Sequence, residues 1–359
     1  MAGNLQKYYD VVIVGAGPAG ANLCRMLDSH KYKTLLIDGS EGREKVCGGL
    51  LSPDAQDILA KYDISLPKSI LVSPQLFSVK TIDLSDGLTR HYRRSYMNID
   101  RQKFDEFIID MARGNADIVN ARCENIKRAE DGFTLDVCSS TRERIYCKYI
   151  VGADGASSIV RRTLFGDRKI HKYTAIQQWF DAGNEKPYYS CIFDNETSSG
   201  CSWIFFKDGK IVFGGAFDKQ NCRWAFEEQK RKLVSLGFVS EKTFEEPVKT
   251  EACLVARPKI GKGIFMGADG AFLIGEAAGL ISPSSFEGIS FALSSAEILA
   301  GIMNDCDDRS KMIKKYKARA TRLKIKIYLR VLKRPFMYNK ILRRAVMKSG
   351  VQSMKVDTL

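Results

Sequence analysis

The sequence predicts an α/β fold: a Rossmann-like dinucleotide-binding domain with an inserted antiparallel β-sheet (an α+β insert) and a C-terminal helical region. Three observations predict it. A glycine-rich turn, VGAGPAG at Val14 to Gly20, stands between an apolar run and a helix-forming segment; a block rich in aromatics alternates with period two; and the end of the chain is basic with helical spacing. At 359 residues the chain can bury a large core and is expected to hold two domains.

The first element is the strand Val11-Val12-Ile13-Val14, followed by the helix former Ala21 to Leu27. Gly15 permits the tight turn, Gly17 lets the backbone approach a pyrophosphate, and Gly20 lets helix and strand pack closely. Pro18 and Ala19 open the helix, whose free N–H groups favour an anion. A second strand, Thr34 to Ile37, ends at Asp38, where a carboxylate can accept from a ribose hydroxyl.

Further on, Leu76 to Leu84, Tyr188 to Phe193 and Ser202 to Phe206 alternate as strands, and Ile211-Val212-Phe213 follows a turn at Lys207-Asp208-Gly209-Lys210. Aromatics concentrate here and supply either plain sheet core or one wall of an apolar pocket. Trp203 and Phe205 share a face by period two and are the pocket candidates.

Residues 309 to 359 hold 17 Lys or Arg and one acid, a charge of +16 that leaves −2 for the other 308 residues of a chain with net charge +14. Apolar residues recur through this tail, and Pro335 is expected to divide it into two helices. Three readings follow: a surface for anionic lipid over 309–348, a helix packed on the body with a solvated basic face, or nucleic acid. Nothing else suggests a nucleic-acid module, so that partner is not expected. No uncharged apolar run of 18 residues occurs and the N-terminus lacks a secretory pattern, so neither a spanning helix nor a signal peptide is expected. The ten cysteines contain no CxxC pair and no Cys/His cluster, which predicts reduced thiols in a cytoplasmic protein without a metal site. His30, His91 and His171 read as surface groups.

Two further motifs carry a family resemblance. The segment VGADGASS, with Asp154 and Gly155, resembles the Asp-Gly motif of the flavoprotein hydroxylase superfamily, and LIGEAAG, with Gly275, Glu276 and Gly279, resembles its second FAD-contacting motif. Glu276 replaces the family's Asp. The resemblance implies FAD, and implies that Arg101, at the return from the sheet, contacts the cofactor; an exposed Arg at a helix start is the alternative. More narrowly, KVCGGLLSP, with Lys45, Cys47, Gly48 and Gly49, and PSSFEGI, with Gly288 and Ile289, resemble the geranylgeranyl reductase branch. That branch has a Cys-Gly-Gly loop beside the flavin and a Glu-Gly-Ile loop before its last helix.

The implied architecture is a discontinuous FAD-binding domain (1–75, 97–165 and 262–307), a β-sheet substrate domain (76–96 and 166–261) and a basic C-terminal helical region (308–359). The implied activity is reduction of C=C bonds in an isoprenoid or other lipid-like substrate by hydride from reduced FAD, with NAD(P)H docking transiently or another external donor supplying electrons. Gly288 and Ile289 would present helix N–H groups to the flavin. Cys47 would donate a proton or only shape the pocket. The resemblance keeps Trp203, Gly214 and Gly215 as pocket residues, but Cys201 and Phe206 stand where lipid-reducing members have Tyr and Pro, which weakens the inference of substrate more than that of cofactor. A monooxygenase of aromatic or polycyclic substrates and a non-catalytic flavin-binding protein at the membrane are the alternatives.

Overall fold

The apolar run before the first glycine turn forms β1 (Tyr8–Val14), nearly all of it buried, as a strand covered on both faces requires. The computed structural model describes residues 6–39, 46–166, 168–183, 185 and 187–356. β1 pairs in parallel with β2 (Thr34–Asp38) on one side and β9 (Arg142–Gly152) on the other. Beyond β2 lies β6 (Asp117–Asn120), and beyond β9 lie β16 (Ala271–Leu273) and β15 (Gly267–Ala268). The antiparallel hairpin β7 (Arg122–Ala129) and β8 (Gly132–Cys138) joins this sheet through β9. The crossover helix α1 (Pro18–Met26) lies against the long α6 (Ile289–Asp305), while α2 (Pro53–Lys61), α3 (Arg101–Asp110) and the short α4 (Ile159–Leu164) close the flanks.

A second sheet runs in the order β14 (Lys249–Ala256), β10 (Lys172–Asp181), β13 (Lys210–Phe217), β12 (Ser202–Lys207), β11 (Tyr189–Phe193), β4 (Leu76–Asp83), β5 (Leu88–Asn98) and β3 (Leu50–Leu51). It is antiparallel except where β11 meets β4 in parallel. The β12–β13 hairpin turns on Asp208 and Gly209, both at positive φ, as a two-residue primed turn requires. The aromatics divide by strand alternation. Phe180, Phe206, Phe213 and Phe217 form plain core beneath α5 (Cys222–Ser235), whereas Trp179, Tyr189, Trp203 and Phe205 take the other face with Tyr96.

The basic tail is four helices rather than two: α7 (Arg309–Arg319), α8 (Thr321–Leu332), α9 (Arg334–Tyr338) and α10 (Lys340–Ser349). Pro335 opens α9 instead of ending a helix, since its missing N–H is harmless in a first turn. Met312, Tyr316, Leu323 and Ile327 are buried in the core of the first sheet, and Tyr316 Oη donates to Leu273 O at 3.0 Å. No helix among the described residues is long and apolar enough to cross a membrane.

The far end of the tail is fastened by a buried ion pair. Arg343 Nε and Nη2 donate to Asp83 Oδ2 and Oδ1, both at 2.8 Å, and Nη2 also donates to Asn195 Oδ1 at 2.7 Å. Both side chains are almost fully enclosed, so removing one partner strands the other charge in a medium that solvates it poorly. Arg343→Ala is expected to cost about 3–5 kcal/mol in chemical denaturation. A loss below about 1 kcal/mol would put this pair in the class of exposed ion pairs.

Candidate functional site

The three glycine motifs meet at the carboxyl ends of adjacent parallel strands. Val14 of β1 is level with Gly152 of β9, and Leu273 of β16 is level with the same residue. In open parallel sheets a ligand crevice forms at such strand ends. The backbones approach so closely that side chains are excluded. A Cβ on Gly15 (φ +104°) would stand 2.7 Å from Ala153 O, one on Gly20 would stand 1.9 Å from Gly15 O, and one on Gly275 (φ +54°) would stand 3.0 Å from Ala19 Cβ. Gly17 caps α1 without a side chain, Pro18 and Ala19 follow, and no acid occupies the first turn, which leaves the helix N–H groups available to an anion.

Around this turn lie the other candidate cofactor contacts. Asp38 stands half-buried at the end of β2. Asp154 Oδ2 accepts from Ile159 N at 2.6 Å, while its Oδ1 is enclosed without a partner, and burial pushes the carboxyl up from the ordinary range. Gly155, at positive φ, lies next to Glu276, whose Oε1 accepts from Ala256 N at 2.7 Å. The extra methylene of Glu276 thus lets one carboxylate oxygen hold the end of β14. Gly279, also at positive φ, ends the turn that Gly275 begins. Gly288 caps α6, whose first residue is Ile289, with no side-chain cap and no acid in the first turn.

The Cys-Gly-Gly loop is clamped against the second sheet and the chain entering α3. Lys207 Nζ donates to Gly48 O at 3.0 Å and to Ile99 O at 2.6 Å, and a Cβ on Gly48 would stand 2.9 Å from the Phe205 ring. Gly49 has φ +67° and packs on Ile99 O, so only glycine suits it. Lys207, which the sequence places in the hairpin turn, is therefore a buried strand-end residue, and burial pushes its ammonium down. The signal that could have found it is strand alternation carried two residues past Phe205, which points Lys207 to the same face.

Arg101 is buried rather than exposed. It forms a two-pronged pair with Asp105, Nε to Oδ1 at 2.8 Å and Nη2 to Oδ2 at 3.0 Å. Burial opposes its charge, yet Asp105 and Cys47 hold the guanidinium above its ordinary range. Cys47 thus lies close enough to both Arg101 and Lys207 to favour their charged forms. Lys45, the remaining loop candidate, lies outside the described residues.

On the sheet face above this loop, Phe205 is buried, and the Trp203 indole lies over Gly214, where a Cβ would come 2.5 Å from Nε1. Gly215 is filled by Ser202 and Phe217. Trp203 Nε1 is enclosed without a partner. Cys201 lies against Cys191, and that contact, with burial, pushes the Cys191 thiol well up. Sequence reasoning passed over two residues of the Glu-Gly-Ile loop. Glu287 accepts from Tyr96 Oη at 2.6 Å and from Arg94 Nη2 at 3.2 Å, while Phe286 holds φ +57°, a conformation that bulky residues avoid and that tends to occur at working sites.

A family profile described as "FAD binding domain" matches residues 111–322, and one described as "Lycopene cyclase protein" matches residues 10–180. Protein CbrA of Escherichia coli O9:H4 is 40% identical over 352 residues, covering 96% of this chain and 94% of that relative. A geranylgeranyl bacteriochlorophyll reductase-like protein from Thermoplasma acidophilum superposes with a TM-score of 0.82 at 20% identity, over 98% of this chain and 93% of its own. The flavin-dependent halogenase CmlS superposes with a TM-score of 0.67 at 17% identity, over 89% and 62%. At such identities the two structures speak to fold alone. Fold and crevice together define a flavoprotein of the FAD-dependent oxidoreductase class. Within that class the chain belongs to the CbrA family.

The crevice residues fit FAD: an uncapped helix N-terminus suits a pyrophosphate, and the enclosed, unpaired Asp154 Oδ1 is an acceptor awaiting a hydroxyl. Gly15→Ala and Gly20→Ala should purify with at most about a tenth of the wild-type flavin, read from the ratio of visible flavin to protein absorption, because an added Cβ meets backbone. Gly301→Ala, whose Cβ would meet nothing within 4 Å in α6, should retain full loading.

Proposed function

We propose that this protein is an FAD-dependent reductase of carbon–carbon double bonds in an isoprenoid or other lipid-like substrate, working at an anionic membrane surface. The observation that carries the reading is the Lys207 clamp, which holds the Cys-Gly-Gly loop against the apolar, aromatic face of Trp203, Phe205, Tyr189 and Tyr96. A sheet face so lined suits a hydrocarbon chain better than a polar substrate.

Gly15, Gly17, Pro18, Ala19, Gly20 and Asp38 would hold the adenosine and pyrophosphate end of FAD, with Asp154, Gly155, Gly275, Glu276, Gly279 and Arg101 along its length. When bound and reduced, FAD would supply the hydride. Gly288 and Ile289 would place the N–H groups of α6 where negative charge develops on the ring. Cys47, near the cations Arg101 and Lys207, would give a proton to the neighbouring carbon. NAD(P)H docking transiently, or another external donor, would restore the reducing equivalents.

The membrane part of the reading rests on a stripe that the tail leaves in solvent. Ile325, Leu329 and Leu332 of α8 and Phe336 of α9 recur at spacings of four, three and four and are 53%, 56%, 59% and 53% exposed. Arg322, Lys326 and Lys333 are also exposed on these helices. Exposed apolar side chains flanked by cations match the boundary of an anionic bilayer. Nucleic acid offers nothing to the apolar stripe.

The fold shared with a flavin-dependent halogenase keeps oxygen chemistry as the second reading. Under anaerobic conditions the dithionite-reduced, FAD-loaded protein, mixed with geranylgeranyl or undecaprenyl phosphate in detergent, is expected to lose its reduced-flavin spectrum while the lipid gains two hydrogens. Reoxidation only after air is admitted, accelerated by substrate and with oxygen inserted into product, would instead establish a monooxygenase. No turnover under either condition would leave a flavin-binding protein.

In vesicle co-sedimentation the protein should bind phosphatidylglycerol-containing liposomes and not pure phosphatidylcholine. Leu329→Glu with Phe336→Glu should lower binding about tenfold or more, and equal binding of the variant would remove the stripe from the reading.

A further inference from the structure

Outside the flavin crevice the chain buries a second cationic centre that none of the roles above uses. Arg257 directly follows β14 and is 1% exposed. Its guanidinium is stacked among three rings, Tyr173 at 4.8 Å, Tyr338 at 5.0 Å and Phe286 at 5.4 Å to their centroids. Nε donates to Pro283 O at 3.0 Å and Nη1 to Ser199 Oγ at 3.3 Å, while Nη2 is enclosed without a partner. No carboxylate pairs with Arg257 among the described residues.

A second arginine makes the arrangement stranger for a merely structural one. Arg334, the first residue of α9, also has an enclosed Nε without a partner. Burial, and then the repulsion of Arg257, push its guanidinium down. The neighbouring His171 is likewise pushed down by burial and by Lys259, Arg257 and Arg334, against one opposing acid, Asp218. A buried guanidinium beside a half-buried one, each with an unmatched N–H donor, is costly unless an anion completes them. The rings offset part of that cost through their π faces but accept no directed hydrogen bond from the in-plane Nη2.

We propose that Arg257 and Arg334 form a recognition site for a phosphate group, the headgroup end of the lipid-like substrate. Guanidinium groups on two different elements, with the Ser199 hydroxyl between β11 and β12, present donors in three dimensions, as a tetrahedral oxyanion requires and a planar carboxylate does not. The site adjoins the loop that opens α6: Pro283 O is bonded to Arg257, Ser284 O accepts from Tyr338 Oη at 2.5 Å, and the strained Phe286 supplies one ring. A phosphate held there would lie beside the loop Pro283–Phe286, which leads into Gly288, the residue that caps α6. On its other side Arg334 is half-exposed and stands between Leu332 and Phe336 of the apolar stripe, so the headgroup site opens where the tail would meet a bilayer.

The site deepens the lipid reading and rests on it for the source of the phosphate; its own chemistry is testable without turnover. Isothermal titration of the FAD-loaded full chain with farnesyl phosphate, farnesol and inorganic phosphate separates the cases. Wild type is expected to bind farnesyl phosphate about tenfold or more tightly than farnesol, and Arg334→Gln to abolish that preference while retaining flavin content and melting temperature. Arg257→Gln should do the same, but it alters a buried residue and is secondary to the half-exposed Arg334. If inorganic phosphate alone binds with the same arginine dependence and as tightly, the site stands with free phosphate as its source. Equal affinity for farnesyl phosphate and farnesol, or an undiminished preference in Arg334→Gln, overturns the proposal. Arginine-dependent phosphate binding without double-bond reduction would overturn the reductase reading and leave this site intact.

Discussion

Close backbone packing at the ends of β1, β9 and β16 is the constraint on which the rest of the molecule depends. Gly15 lies against Ala153, Gly20 against Gly15 and Gly275 against Ala19, each at a distance that excludes or crowds a side chain. That packing brings three segments separated by more than a hundred residues to one crevice. It also fixes where α1 and α6 begin, and both start without a side-chain cap or a first-turn acid. An uncapped helix start is ordinarily a small loss of stability; here it leaves N–H groups available where a dinucleotide and its charged ring would lie.

The second sheet is coupled to this crevice through few but buried contacts. Lys207 reaches from the end of β12 to two carbonyls, on the Cys-Gly-Gly loop and before α3, so a change in the sheet is felt by the loop directly. Gly48 against Phe205 and Gly214 beneath Trp203 show the same principle, backbone standing where an aromatic ring needs room. That sheet face is therefore shaped as much by what glycine omits as by the rings themselves.

The tail has two different faces. One, through Met312, Tyr316, Leu323 and Ile327, completes the core of the first sheet; at its far end Arg343 locks onto Asp83 of the second. The other carries Ile325, Leu329, Leu332 and Phe336 into solvent among lysines and arginines. Because α8 and α9 are held to the body on both sides, the exposed stripe is presented at a fixed position relative to Arg334 and Arg257.

Much of this was legible in the sequence, because turns and strands are local. Gly15, Gly17 and Gly20 announce a strand, turn and helix by spacing and flanking residues, and period two separates Trp203 and Phe205 from Phe206. The residue types also told that the tail is basic and amphipathic. What only the tertiary structure decided depends on partners far apart in the chain: Arg101 buried on Asp105 beside Cys47 instead of exposed, Lys207 turned inward to Gly48, Glu276 spent partly on Ala256, and Arg257 meeting Arg334 without an acid. Local spacing encodes backbone geometry, whereas the solvation and pairing of a charge are set by whatever the fold brings beside it, and no short-range pattern carries that information.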